Sequence, residues 1–495
     1  MMFDLLFQPA PPGASRCTGG LTDDLRLDVL LDAMAAGDAR TAQACRQVLL
    51  APLTDAQAIA ARREVRGDIT AHPQLFSTLL TSAREAMDAA DRYAEFQKPR
   101  YDHIISPQKK LLTEITIAKQ SLKILRRMHA AVTAEHAAFG SGAVTALADT
   151  IIRLFSAENV KRMEARLAML DSLKLSDDLT LSASVGDGLK PAHVVLNTLA
   201  RPMAGRRRLT EAGIPIALSS VGLIRNAEEI VQSAVTPLLQ TVAEFSKSLR
   251  DFFNTLSFQL GFYLGCIRLQ NRLRAIGVPL CEPDIDDACG GMESDALCSA
   301  GLALQEGRIP MGNAVRFREK RLVVITGVNQ GGKTTFLRGV GQAQLMAQCG
   351  MFVAAQTYRC PLYRGIYTHF PSGEDTARDA GLLDVELRKL SSIVDCIRPH
   401  SLLLLNETFQ TTMPADARYM AEITVRALTD SGVAVVFVTH LYAYAAAAYA
   451  RHQPDTLFLR AERAGTVQKA YVLREGKPYS SAAGDDLYRE VLGGY

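Results

Sequence analysis

The sequence predicts an α + α/β protein, a helical domain followed by an α/β domain built around a phosphate-binding loop. Three observations point there. Residues 21–277 place apolar side chains at helical spacing with one short alternating stretch, and residues 319–495 hold apolar runs of strand length separated by helical patterns. Between the first of those runs, Arg321 to Thr326, and the helical pattern after it lies Gly327-Val328-Asn329-Gln330-Gly331-Gly332-Lys333-Thr334, the order strand, G-x-x-x-x-G-K-T loop, helix.

The elements follow in order. Residues 1–20 carry Pro9, Pro11, Pro12, Gly13, Gly19 and Gly20 and read as an irregular lead-in. Leu25, Leu27, Leu30, Leu31 and Met34 share one helix face, and a Leu-Leu-Ala-Pro-Leu-Thr-Asp stretch ending at Asp55 precedes a helix over Ala56 to Arg66. Ser106-Pro107 pairs an N-cap with a first-turn proline, so a long helix is expected after it, and a further one over Ala143 to Leu173. Leu179, Leu181, Ala183 and Val185 alternate with polar residues before Gly186-Asp187-Gly188, which predicts a hairpin. From Asn226 to about Arg274, apolar residues recur at steps of four and three, from Val231 and Val235 to Tyr263 and Ile267. This predicts one very long helix, kinked at Pro237, whose seam needs antiparallel partners from residues 106–173. Residues 278–318, rich in Gly, Pro and Cys, read as a linker into the α/β domain. There, strands are expected at 321–326, 401–405 and 433–438, with edge strands near 456–461 and 468–473.

Composition bounds the function. With 495 residues, 48% of them hydrophobic and 22% charged, the chain can bury sizeable cores in two to four domains. A net charge of only +3 confines any nucleic-acid surface to a local patch, and the densest basic cluster is Arg206-Arg207-Arg208. That cluster suits phosphate contacts, while a solvated surface run is the plainer reading. Nine cysteines without paired spacing read as reduced thiols. The N-terminus has no basic lead and too short an apolar run for a signal peptide, and Phe253 to Leu269 is too interrupted to span a membrane, so a cytoplasmic protein is expected.

The chemistry gathers at three strand ends. Glycines of the loop let backbone N–H groups wrap a phosphate, Lys333 reaches its terminal oxygens, and Thr334 is placed to ligate Mg²⁺. Leu402 to Leu405 runs into Asn406-Glu407, and ligands of open α/β sheets lie beyond such carboxyl ends, so Glu407 would face the γ-phosphate and activate water. Val433 to Val438 ends in Thr439-His440, where the histidine either senses that phosphate or is an ordinary strand-end residue.

The stretch Thr326 to Ala355, with its Asn-x-Gly-Gly-Lys centre, resembles the ATPase core of the MutS family of DNA mismatch-repair proteins, and the segment around Asp55, with Ile59, Arg62 and Val65, resembles the entry to that family's core domain. The resemblance implies a helical core and lever domain, then an ABC-type P-loop ATPase domain. It assigns ATP to Gly327, Asn329, Gly331, Gly332, Lys333, Thr334 and Thr335, Mg²⁺ to Thr334 and Asn406, catalysis to Glu407 and His440, and the D-loop to Asp416. It places Phe352-Val353 in the next strand. It further implies a homodimer with composite ATP sites, and DNA as partner, with low-turnover action on a protein or ribonucleoprotein as the alternative. Two departures stand out. Asn406 replaces the family's usual Asp, and the signature loop expected within Asp375 to Glu386 lacks a clear Ser-Gly. Residues 1–100 read as core rather than as a mismatch reader, so branched or otherwise structured DNA is the expected partner, and no C-terminal helix-turn-helix extension is expected.

Overall fold

The structure, a computed structural model, describes residues 3–7, 20–96, 107–135, 138–172, 181–185, 191–196, 221–327, 331–371, 381–463 and 471–478. Contacts group the chain into two units, residues 1–3 with 72–260 and residues 4–71 with 261–495. This differs from the division expected at 277 and 318, and the packing described below supplies the reason.

The second unit begins with four helices, α1 (Leu21–Asp24), α2 (Leu27–Ala35), α3 (Ala39–Leu49) and α4 (Ala56–Ala71). Asp38 caps α3 by accepting from the Thr41 amide at 3.2 Å, a bond that satisfies a first-turn N–H. These helices read as part of the helical domain but pack on the α/β core. Arg62 of α4, wholly buried, donates to the carbonyls of Leu6 and Cys349 and lies 5.8 Å over the Phe262 ring. Leu53, after the Leu-Ala-Pro turn, exchanges hydrogen bonds with Gln348, through the Gln348 carbonyl and side-chain amide.

The first unit holds α5 (Pro73–Phe96), α6 (Pro107–Glu135), α7 (Gly142–Leu154), α8 (Ala157–Ser172) and the antiparallel hairpin β1 (Leu181–Val185) with β2 (Pro191–Leu196), as the alternation predicts. The single helix expected over Ala143 to Leu173 is two. Phe155 leaves helical geometry at φ −111°, ψ 28°, and Ser156 restarts the chain by accepting from the Asn159 amide through its hydroxyl and from the Val160 amide through its carbonyl. The long helix α9 (Val221–Ile276) has 56 residues and continues through Pro237. Val235, Val242, Leu249 and Leu256 on its seam are buried, and Ser246 donates to the Glu114 carbonyl of α6, the partner the seam required.

From Gly261, within α9, the chain belongs to the second unit. Residues 278–318 are not a linker but hold β3 (Asp284–Ile285), β4 (Glu293–Leu297), α10 (Ala300–Glu306) and β5 (Asn313–Arg316). The α/β core continues with β6 (Leu322–Gly327), α11 (Lys333–Gln348), β7 (Thr357–Cys360), β8 (Ile366–His369), α12 (Leu382–Cys396), β9 (Leu402–Asn406), α13 (Pro414–Asp430), β10 (Ala434–Val438), α14 (Tyr442–Ala450), β11 (Thr456–Arg463) and β12 (Tyr471–Glu475). One sheet runs β12-β11-β6-β10-β9-β8, parallel except for β12, and a smaller one runs β3-β7-β4-β5. Of the two strands expected at an edge, β11 is therefore internal, between β6 and β12. Phe352-Val353 forms no strand of the parallel sheet; Val353 makes an isolated bridge to Cys281, and β8 is the strand beside β9.

The parallel strands are apolar on both faces, as sheets covered on two sides require. Leu403, Leu405, Val435 and Phe437 meet α12, α13 and α14, while α11 packs on β6, β9 and β10 from the other side. The fit there is close enough that a Cβ on Gly341 would come 2.6 Å from a Leu25 methyl and 2.8 Å from a Leu404 methyl. Three buried glutamines complete the layer. Gln342 bonds Ser299, Gly301 and the Leu25 carbonyl; Gln344 bonds Gln348, the Pro361 carbonyl and the Tyr358 hydroxyl; Gln348 also bonds Leu53 and Tyr363. Buried amides satisfied in this way fix the register of α11 rather than penalise it. Seven of the described cysteines are free thiols; Cys396 is disulfide-bonded, contrary to the reading of all nine as reduced.

Candidate functional site

Strands β6, β9 and β10 lie side by side and end together, which brings three separate sequence segments to one place. Gly327 closes β6 at φ 137°, and a Cβ there would sit 2.9 Å from the Ala461 backbone nitrogen, so only glycine fits between β6 and β11. Residues 328–330, Asn329 among them, lie outside the described residues. Gly331 is buried, and Gly332, left-handed at φ 74°, is the N-cap of α11. Lys333, Thr334 and Thr335 are therefore its first turn, whose amides have no partner within the helix.

Lys333 is 4% exposed, and its Nζ donates to the Gly327 carbonyl at 3.0 Å. Burial pulls the ammonium below its ordinary pKa, and the Glu407 charge offsets part of that shift. Thr334 Oγ1 donates to Asn406 Oδ1 at 2.9 Å, joining the start of α11 to the end of β9. The Glu407 amide donates to the Val438 carbonyl and the Thr439 amide to the Ile325 carbonyl, so the ends of β9, β10 and β6 are knitted together. His440 Nε2 then lies 2.9 Å from Glu407 Oε1. That hydrogen bond is the largest cause holding the Glu407 carboxyl below its usual range; burial opposes it, and the His440 and Lys333 charges reinforce it.

The backbone here is unusual. Glu407 and Phe409 both have positive φ, 54° and 71°, a region that costs an L-residue roughly 1–3 kcal/mol. Surrounding groups hold the turn. His369, at the end of β8 and buried, meets Thr408 Oγ1 at 2.9 Å through Nδ1 and the Glu386 carbonyl at 3.1 Å through Nε2. A carbonyl can only accept, so Nε2 carries the proton and Nδ1 accepts from the threonine hydroxyl. Burial keeps this imidazole below its ordinary pKa and hence neutral.

Thr334 and Asn406 present two neutral oxygens side by side, a donor set that suits a hard dication held mostly by phosphate and water. Among the described residues no group of three or more His, Cys, Asp or Glu side chains could hold a metal without such help. Asp416 stands in the first turn of α13, and Arg206, Arg207 and Arg208 lie outside the described residues, as does the first half of the expected signature loop, residues 375–380. No motif singled out His369 or Thr408, whose only signal in the sequence was their position at or near strand ends, and Glu386, in α12, entered only as the bound of the expected signature loop.

The start of α11 with Lys333, the threonine joined to an amide oxygen and the carboxylate paired with histidine thus converge at adjacent strand ends. Residues 54–276 match the MutS2 N-terminal domain, and residues 323–482 match MutS domain V. The chain belongs to the MutS family. DNA mismatch repair protein MutS of Thermotoga sp. (strain RQ2) is 38% identical over 122 residues, 25% of this chain and 15% of that protein. The MutS protein of Thermus aquaticus is 34% identical over 146 residues, 30% of this chain and 18% of that protein. The match to these MutS relatives thus spans less than a fifth of their length. Among the described residues, no helix is long and apolar enough to cross a membrane.

Proposed function

We propose that this chain is a MutS-like P-loop ATPase that couples ATP binding and hydrolysis to binding of DNA, structured or branched rather than mismatched. The observation that carries the reading is the convergence of Lys333, the Thr334–Asn406 hydrogen bond and the Glu407–His440 pair at adjacent strand ends.

The residues divide the work by their chemistry. Amides of the first turn of α11, with Gly331 and Gly332, face phosphate oxygens, and Lys333 exchanges the Gly327 carbonyl for the β- and γ-phosphates. Thr334 and Asn406 would hold Mg²⁺, which would supply positive charge to offset that of the phosphates. Glu407 accepts a hydrogen bond from the attacking water; its low pKa keeps it ionised, and an incoming γ-phosphate raises its basicity by like-charge repulsion. His440 orients that carboxylate through its hydrogen bond to Oε1. Asn406 in place of an acid removes one negative charge from the metal shell, and this favours slow turnover in a nucleotide-gated binding protein as the second reading. The family likeness supports a homodimer with composite sites, and Asn329, Thr335 and Asp416 complete the nucleotide contacts in this reading.

The test is ATP affinity and turnover, with and without linear, branched and mismatched duplex at fixed salt, for the wild type and Lys333→Ala. The variant is expected to lose ATP affinity by at least 100-fold while its apo thermal midpoint moves by no more than a few degrees. Branched duplex is expected to change wild-type turnover more than linear or mismatched duplex. Unchanged affinity in the variant would overturn the phosphate-loop assignment, and turnover indifferent to every duplex would overturn the DNA coupling.

A further inference from the structure

The turn after β9 has two left-handed residues, Glu407 and Phe409, that need an outside hold. That hold comes from Glu386 on α12. One carboxylate oxygen accepts from the Phe409 amide at 2.5 Å and the other from Thr411 Oγ1 at 2.6 Å, while the Glu386 backbone carbonyl accepts from His369 Nε2. Both carboxylate oxygens are thus committed to the turn that carries Glu407. The neighbouring cations of α12 pair elsewhere: Arg388 with Asp384 at 2.8 Å, and Lys389 with Asp24 at 3.1 Å.

The second of these pairs matters to the first. Asp24 is 8% exposed and also accepts from Thr368 Oγ1 at 2.7 Å, and Lys389 donates in addition to the Phe370 carbonyl. Lys389 lies three residues after Glu386, on the same side of α12. The helix is therefore pinned to the end of β8 and to α1 within one turn of the carboxylate that grips the Glu407 turn. Phe409 is 1% exposed and Thr408 fully buried, so an amide released there has no water to replace its lost acceptor.

We infer that Glu386 is a positioning residue for hydrolysis, one that fixes the left-handed turn and so aims the Glu407 carboxylate, with the Asp24–Lys389 pair fixing Glu386 in turn. The inference rests on the reading of Glu407 as the residue that polarises water. Glu386 acts through the turn, by way of the Phe409 amide and the Thr411 hydroxyl. Its loss leaves ATP binding intact and misdirects the carboxylate, an error that lowers kcat and spares KM.

The experiment compares wild type, Glu386→Ala and Glu386→Gln in steady-state ATP turnover and in amide exchange of the peptide covering 406–412. Glutamine can accept from the Phe409 amide and donate to the Thr411 hydroxyl, so it is the rescue variant. Expected are a kcat at least 30-fold lower for Glu386→Ala with KM within about threefold, kcat within about threefold of wild type for Glu386→Gln, and faster exchange of the 406–412 peptide in the alanine variant alone. A raised KM with unchanged kcat would make Glu386 a nucleotide contact and overturn the inference, as would unchanged kcat with unchanged exchange. If the wild type shows no turnover, the hydrolysis reading fails by itself. Amide exchange then decides the structural part: unchanged exchange in Glu386→Ala overturns the hold on the turn, and faster exchange upholds it.

Discussion

Glu407 shows how much a single side chain depends on atoms far from it in sequence. Its low pKa comes chiefly from His440, its backbone is left-handed, and its neighbouring charge is Lys333. Glu407→Gln keeps the shape and removes the charge, so ATP affinity is expected within threefold of wild type while turnover falls by about 10² or more. Single-turnover kinetics alongside equilibrium binding check this, and equal loss of both would mean that the residue binds rather than acts. The same group sets a pH dependence. Unfolded, the carboxyl titrates near 4.5, and folded it titrates lower, so its contribution to stability is present above pH 4.5 and is lost as the pH falls through the folded value. Thermal midpoints across that window should fall less steeply for Glu407→Gln than for wild type.

At the scale of elements, the site depends on close approaches that only small residues permit. β6 and β11 pair up to Gly327 and Ala461, where a Cβ would meet backbone rather than a movable side chain. Gly327→Ala combines that clash with an unfavourable φ and should destabilise the fold by roughly 3 kcal/mol, the sum of typical strain and overpacking costs. The expected readout is a lower denaturant midpoint with an unchanged slope. A midpoint equal to wild type would mean that the strand ends can separate freely. α11 is held differently, by the buried Gln342, Gln344 and Gln348, whose bonds reach α1, the Leu53 turn and the segment after β7. Periodicity marks such a helix but not its polar ties, because buried glutamines look the same in sequence as exposed ones.

For the whole molecule, binding of nucleic acid calls for a local basic surface, since the net charge is only +3. Arg206, Arg207 and Arg208 remain the proposed phosphate contacts, placed by the sequence between the hairpin and α9. Replacing all three with alanine should weaken DNA binding alike on linear and branched duplexes and reduce the slope of log affinity against log salt by about one for each phosphate no longer neutralised. Affinities measured at several salt concentrations test this; identical slopes would reduce the cluster to a solvated surface run.

By itself the sequence determined the α + α/β class, the hairpin, the long α9 and the parallel strands ending in Gly327, Asn406 and Val438, because hydrophobic period and turn chemistry are local. It also singled out Lys333, Thr334, Glu407 and His440 as candidate site residues. Only the tertiary structure decided that α1–α4 pack with the α/β unit through Arg62 and Gln348, that residues 278–318 build a second sheet, and that β11 is internal. It alone joined Glu386 and His369 to the turn at Glu407. The physical reason is the same in each case. A hydrogen bond between residues tens or hundreds of positions apart leaves no periodic trace, and a strand's place in a sheet depends on which neighbours bury its two faces.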